Sequence, residues 1–134
     1  DFVNVDNVLI EENHLHDFTR SALSKDHPDM IQFWTKGTKS PSTNVVVRNN
    51  FLDAGRGDWT QSIFIRNEIV DSYGGGPEMR YRNFRIEGNV IRNGHLHGIT
   101  VSDVDGLVIT RNTILQSMSG REGGKVAKHS AKAA

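Results

Sequence analysis

The 134-residue chain has no cysteine, so no disulfide can staple it. It has little aromatic material, 7%, within an apolar share of 36%, which suits one domain, or a piece of one, with a thin core. Charge of one sign is missing too. Sixteen Lys and Arg balance sixteen Asp and Glu, whereas a non-specific nucleic-acid binder carries a basic excess. No stretch approaches the roughly 20 apolar residues that span a bilayer, and no signal-peptide pattern is present.

What the chain does have is repetition. One phrase occurs four times: Asn7-Val8-Leu9-Ile10-Glu11-Glu12-Asn13-His14-Leu15, Asn44-Val45-Val46-Val47-Arg48-Asn49-Asn50-Phe51-Leu52, Asn83-Phe84-Arg85-Ile86-Glu87-Gly88-Asn89-Val90-Ile91 and Gly106-Leu107-Val108-Ile109-Thr110-Arg111-Asn112-Thr113-Ile114. Alternation sends Val8 and Ile10 to one face and Leu9 and Glu11 to the other, as in a strand. An Asn then interrupts, and a second short strand begins. Asn tolerates a left-handed backbone and bonds neighbouring peptide groups, so it suits a sharp corner. Asn13, Asn50, Asn89 and Asn112 are expected to stack as a ladder, each amide bonding the next.

A second phrase interleaves with the first: Asp29-Met30-Ile31-Gln32-Phe33, Gln61-Ser62-Ile63-Phe64-Ile65 and His97-Gly98-Ile99-Thr100-Val101. The first phrase recurs after 37, 39 and 23 residues, within the range that marks stacked repeats. The two longer spacings require insertions, expected at Asp17–Asp26, Thr35–Thr43, Asp53–Thr60 and Glu68–Arg82. In the second phrase Ile31, Ile63 and Ile99 form one column and Phe33, Ile65 and Val101 another, both inward. Met30, Ser62 and Gly98 are expected to face solvent, as are Gln32, Phe64 and Thr100, and Trp34, Arg66 and Ser102.

Over residues 5 to 115 this pattern resembles the right-handed parallel β-helix family, which includes pectate and alginate lyases, mannuronan epimerases and phage tailspikes. The resemblance implies an all-β fold: a right-handed, single-stranded parallel β-helix of about three to four coils. It also implies a polysaccharide groove along one sheet. The repeats occupy residues 1–115 and a Gly-, Lys- and Ala-rich tail or linker occupies 116–134. Phe2, Val3 and Val5 open within a repeat and no cap precedes them, so a portion of a longer helix, or one with partner-covered ends, is expected.

Candidate chemistry gathers where the second phrase begins. Asp29, Gln61 and His97 share a column, as do His27, Trp59 and His95. Histidine titrates near neutrality and can remove a sugar C5 proton or protonate a leaving oxygen. An arginine fork binds the carboxylate that each uronate carries. His97, His95, Asp29 and Arg66 are therefore the candidate catalytic set, with Tyr73 or Tyr81 as a candidate acid. Trp34, Gln32, Gln61, Arg80 and Tyr81 are candidates for holding the sugar, since an aromatic beside hydrogen-bonding groups matches a sugar ring and its rim. Lys36 is a further candidate by likeness to the lyases.

Departures from the family patterns stand beside these. Only Asp71-Ser72-Tyr73-Gly74 and His27-Pro28-Asp29 echo the epimerase motif Tyr-Gly-x-Asp-Pro-His. No zinc-type spacing is present, and the cofactor expectation is limited to calcium among Asp26, Asp29 and Asp53. The expected function is an extracellular protein that binds or processes uronate-rich polysaccharide as a lyase or C5-epimerase. The alternative is the shaft or receptor-binding part of a spike on a particle surface, for which a homotrimer would be natural. No membrane insertion is expected.

Overall fold

The computed structural model describes residues 1–19, 21–24, 28–57, 60–93 and 97–116. Eleven short strands account for most of its regular structure: β1 (Asp6–Glu11), β2 (His14–His16), β3 (Ile31–Phe33), β4 (Thr43–Arg48), β5 (Phe51–Asp53), β6 (Ile63–Ile65), β7 (Tyr81–Glu87), β8 (Val90–Asn93), β9 (Ile99–Val101), β10 (Val104–Thr110) and β11 (Thr113–Gln116). Among the described residues helix is limited to α1 (Glu68–Ser72) and a single 3-10 turn at Pro77–Met79. The strands form three sheets, ordered β1-β4-β7-β10, β2-β5-β8-β11 and β3-β6-β9, and every pairing is parallel. The chain visits the sheets in the same order on each round, so every round adds one strand to each sheet it reaches. The expected insertions lie mainly between strands, although Thr43 opens β4, Asp53 closes β5 and Tyr81 and Arg82 open β7; the last holds α1 and the 3-10 turn. The tail lies outside the described residues, apart from Gln116, which ends β11.

Register follows the repeat. Val8, Val45, Phe84 and Leu107 align across the first sheet, as do Ile10, Val47, Ile86 and Ile109. Leu15, Leu52, Ile91 and Ile114 align across the second. Ile31, Ile63 and Ile99, and Phe33, Ile65 and Val101, align across the third, as expected. The core is the space these columns share: Val45, Val47, Ile86, Leu52, Ile91, Ile63 and Ile65 are fully buried, and Phe33 meets Phe84 edge-on at 5.3 Å.

The corner asparagines form the expected ladder. Nδ2 of Asn13, Asn50 and Asn89 donates to Oδ1 of the Asn one round on, at 3.0, 3.0 and 2.9 Å, and the backbone N–H of each donates to the same oxygen. Each Nδ2 also reaches a carbonyl: Glu11, Ile10, Val47 and Ile86 for Asn13, Asn50, Asn89 and Asn112. The left-handed backbone expected at these asparagines sits one residue earlier, at Glu12, Asn49, Gly88 and Arg111, with φ between 53° and 65°. That leaves each ladder amide aimed along the stack while its predecessor makes the turn. A second left-handed column, Asn7, Asn44, Asn83 and Gly106, falls near the start of the first-sheet strands.

One expectation about facing is corrected. Met30, Ser62 and Gly98 are buried rather than solvent-facing, because the backbone bends at this column before each third-sheet strand and resets the alternation. Ser62 Oγ donates inward to Asn93 Oδ1 at 3.1 Å.

Asn89 sits mid-ladder with no exposed surface. Asn89→Ala removes the acceptor of two Asn50 donors and the donor to the Val47 carbonyl, so urea unfolding should show a loss of about 2–4 kcal/mol. Asn112→Ala, at the ladder's end, should cost about 1 kcal/mol. Equal losses at the two positions would show that the interior bonds carry no special weight.

Candidate functional site

A cleft of about 550 Å³ opens beside β3. Strand alternation puts Gln32 and Trp34 on the outer face of the third sheet, and both line it. Met30 and Asp29, from the bend ahead of β3, also line it, with Asp29 only 8% exposed. The remaining walls come from the insertions and flanking segments: Phe18, Pro28, Lys36, Glu68 and Asp1. Among its described lining residues the cleft therefore joins the half-buried indole of Trp34, the amide of Gln32, the ammonium of Lys36 and the carboxylates of Asp1, Asp29 and Glu68.

The α1 insertion is anchored where it meets this cleft. Asn67 caps α1, its Oδ1 accepting from Val70 N at 3.2 Å and from Thr35 Oγ1 at 3.1 Å, while its Nδ2 donates to the Met79 carbonyl at 2.8 Å. Asn67 N donates to Ser102 Oγ at 3.1 Å, and Ile69 N donates to Thr35 Oγ1 at 3.1 Å. Glu68 Oε2 accepts from Thr35 N at 2.8 Å, which holds this carboxylate at the cleft wall. Thr35, Asn67 and Ser102 come from three successive rounds, so all three rounds fix the wall.

Of the expected site residues, Asp29, Gln32 and Trp34 share the cleft. Gln61 lies on the next round, its carbonyl accepting from Met30 N at 3.2 Å and its Oε1 accepting from Thr100 Oγ1 at 2.7 Å. His97 lies one round further, two strand spacings or about 10 Å from the Asp29 position, and does not line the cleft. His95, His27, Trp59 and Asp26 are outside the described residues.

Arg66 is exposed but engaged. Its Nε and one terminal nitrogen reach Asp71 at 3.0 and 3.4 Å, and the same terminal nitrogen donates to Ser72 Oγ at 3.2 Å. This fork, more than the second bond from Ser72, holds the Asp71 carboxyl below the usual carboxylate range. By sign, the pair's small stabilisation is present above the ordinary carboxylate pKa and is lost as pH falls through the lowered folded value. Arg80 is similarly held, by Asp105 at 2.8 Å and Asp103 at 3.2 Å.

Tyr81 requires a correction. It is fully buried, its ring tilted 33° against Phe84 at 5.1 Å, and its hydroxyl donates to the Arg66 carbonyl at 2.8 Å. It is a core residue and offers no surface to a sugar. Of the three aspartates expected for calcium, Asp26 lies outside the described residues. Asp53 binds Arg92 at 3.1 Å and accepts from Gly55 N, and no group of three His, Asp or Glu converges among the described residues.

Two histidines escaped the sequence reading. His14 and His16 both project outward from β2, their rings 4.7 Å apart, with His14 stacked on Phe51 at 4.7 Å. His16 Nδ1 bonds Asp17 Oδ2 at 2.8 Å, and Asp17 also accepts from Arg56 N at 2.6 Å. The signal was the spacing of His14-Leu15-His16, hidden because Leu15 assigns the segment to the scaffold. Glu68 and Phe18 were missed for another reason: they reach the cleft from insertions, which no repeat register can place.

No family model, curated protein or solved structure matches the chain. The reading of the site therefore rests on its own geometry.

Burial, and secondarily the Glu68 charge, push the Tyr81 hydroxyl far above the ordinary tyrosine range. In Tyr73→Phe, where Tyr81 is the remaining tyrosine, alkaline titration should show no phenolate absorbance until the protein unfolds. A phenolate signal from the folded protein would place Tyr81 in contact with solvent.

Proposed function

We propose that the chain is a right-handed, single-stranded parallel β-helix of about three to four coils that binds polysaccharide in the cleft beside β3. The observation that carries the reading is the placing of Trp34 beside Gln32, Asp29 and Lys36 in one open cleft. The indole offers a face to the apolar side of a sugar ring, and the amide, carboxylate and ammonium groups meet its hydroxyls. The cyclic order of the strands supports the helix, and the cleft's position on the third sheet matches the groove that the family resemblance implies. An extracellular or particle-surface setting, where polysaccharide is met, goes with this reading.

The reading favours binding over lyase or epimerase chemistry. A C5 proton abstraction needs the uronate carboxylate neutralised next to a base. The expected neutralising group, Arg66, and the expected sugar-holding Arg80 both have their guanidinium groups on aspartates, and His97 does not line the cleft. Among the described lining residues Lys36 is the single basic side chain beside three acidic ones, a composition that suits a hydroxyl-rich neutral or amino sugar better than a polyanion. This composition favours the non-enzymatic alternative, a shaft or receptor-binding element of a spike assembly.

Titration with neutral, amino-bearing and uronate oligosaccharides, followed by tryptophan fluorescence and calorimetry, tests this. A neutral or amino sugar should bind, and Trp34→Ala should weaken it by roughly tenfold or more. Asp71→Asn, which releases Arg66, should leave that binding unchanged. If no sugar binds, the cleft reading fails. If uronates bind best, or an absorbance rise marks an unsaturated product, the enzymatic reading replaces it.

A further inference from the structure

The outer face of the second sheet carries a pair of imidazoles that neither the cleft nor the core uses. His14 and His16 lie two apart on β2, so both side chains leave the same side of the strand while Leu15 between them packs inward. Their ring centres are 4.7 Å apart and their planes are tilted by 37°. Two imidazole nitrogens bound to one ion at about 2.0–2.1 Å place their ring centres roughly 5 Å apart. The pair already has the separation of a two-histidine chelate.

Each ring is also held. Phe51, which pairs with His14 one round on, stacks on it at 4.7 Å with 20° between the planes. Stacking covers a ring face and leaves open the ring edge, where the nitrogens are. His16 Nδ1 bonds Asp17 Oδ2 at 2.8 Å, which makes Nδ1 the donor of the neutral ring and leaves the Nε2 lone pair for an ion. The carboxylate is fixed in turn, because Asp17 Oδ1 accepts from Arg56 N at 2.6 Å. A Cβ at Gly55 would lie 2.2 Å from that oxygen, so glycine lets the loop close over it. Asp53, opposite His16 on β5, already holds Arg92, and no third histidine or carboxylate converges among the described residues. These contacts run within β2 and to the round that follows, so they do not depend on what lies on the other side of β2.

We infer that His14 and His16 bind a first-row transition-metal ion, of the copper(II) or zinc(II) class, through two imidazole nitrogens. Asp17 is the positioning residue for His16, and water takes the remaining coordination positions. Imidazole suits these ions, and copper(II) binds most tightly of the divalent series. The site is separate from the cleft, whose lining includes neither histidine.

Copper(II) titrated into the 134-residue chain, followed by calorimetry and electron paramagnetic resonance, tests this. The tightest site should take one ion with coupling to two imidazole nitrogens, and zinc(II) should compete for it. His14→Gln and His16→Gln should each weaken binding at least tenfold and remove one coupled nitrogen, with circular dichroism unchanged. Asp17→Asn keeps both ligands, so it should weaken binding by roughly tenfold while the two-nitrogen signature remains. Four of the chain's six histidines lie elsewhere in the sequence. Copper(II) that binds the double variant His14→Gln, His16→Gln as tightly as the parent chain therefore overturns the proposal. Undiminished affinity in Asp17→Asn overturns the positioning role of Asp17.

Discussion

The structure depends on a row of stacked amides at one corner, buried in its two inner rounds. Every strand of the first sheet ends by turning into the second, and the turn leaves peptide groups facing the interior where no sheet can pair them. Asn50, Asn89 and Asn112 settle that by accepting at Oδ1 from the asparagine of the round before, while Nδ2 of Asn13, Asn50, Asn89 and Asn112 each donates to a carbonyl. The same bonds hold the rounds in register. A slip of one residue would invert the faces of β4 or β7 and break the ladder together. The apolar columns provide most of the stabilisation, but the ladder decides which residues share a column.

Against that regular frame, the cleft is a product of irregularity. The rounds separated by 37 and 39 residues carry the segments that build its walls, and the round of 23 carries none. Function placed on insertions over a repeating scaffold follows a general logic, since loops vary without disturbing the pairs beneath them. Here the insertion is nevertheless fixed. Thr35, Asn67 and Ser102 bind α1 to three rounds at once, so Glu68 has a defined place at the cleft wall.

Strand order and the inward columns of the strands themselves were legible in the sequence, because residues that stack must recur; Tyr81, read as a sugar contact, was not recognised as core. The ladder was legible too, though its backbone was not: a left-handed turn at Glu12 or Arg111 runs against residue preference, and only the Asn next to each hinted at it. Met30 and Ser62 were misread because alternation holds inside a strand and fails at a bend. For the site, Gln32, Trp34 and Asp29 could be found because they sit on or beside repeat positions. Glu68 and Phe18 could not, since their place depends on how an insertion folds back. The engagement of Arg66 by Asp71 was hidden for a similar reason. It joins a strand end to a helix residue five positions on, and nothing in the repeat governs that distance.

The corner column that makes the turn has a further consequence, for how the molecule opens. Asn49 and Gly88, which accept a left-handed backbone, occupy the two inner rounds, while Glu12 and Arg111, which resist it, occupy the outer two. For an ordinary side chain that conformation costs about 1–2 kcal/mol. The outer rounds therefore combine backbone strain with half-covered core residues, and local opening should begin at both extremities and move inward. Amide exchange would record this as slow protons in β4, β5, β7 and β8 flanked by fast ones in β1, β2, β10 and β11. The described rounds are then a firm two-round centre flanked by looser ones.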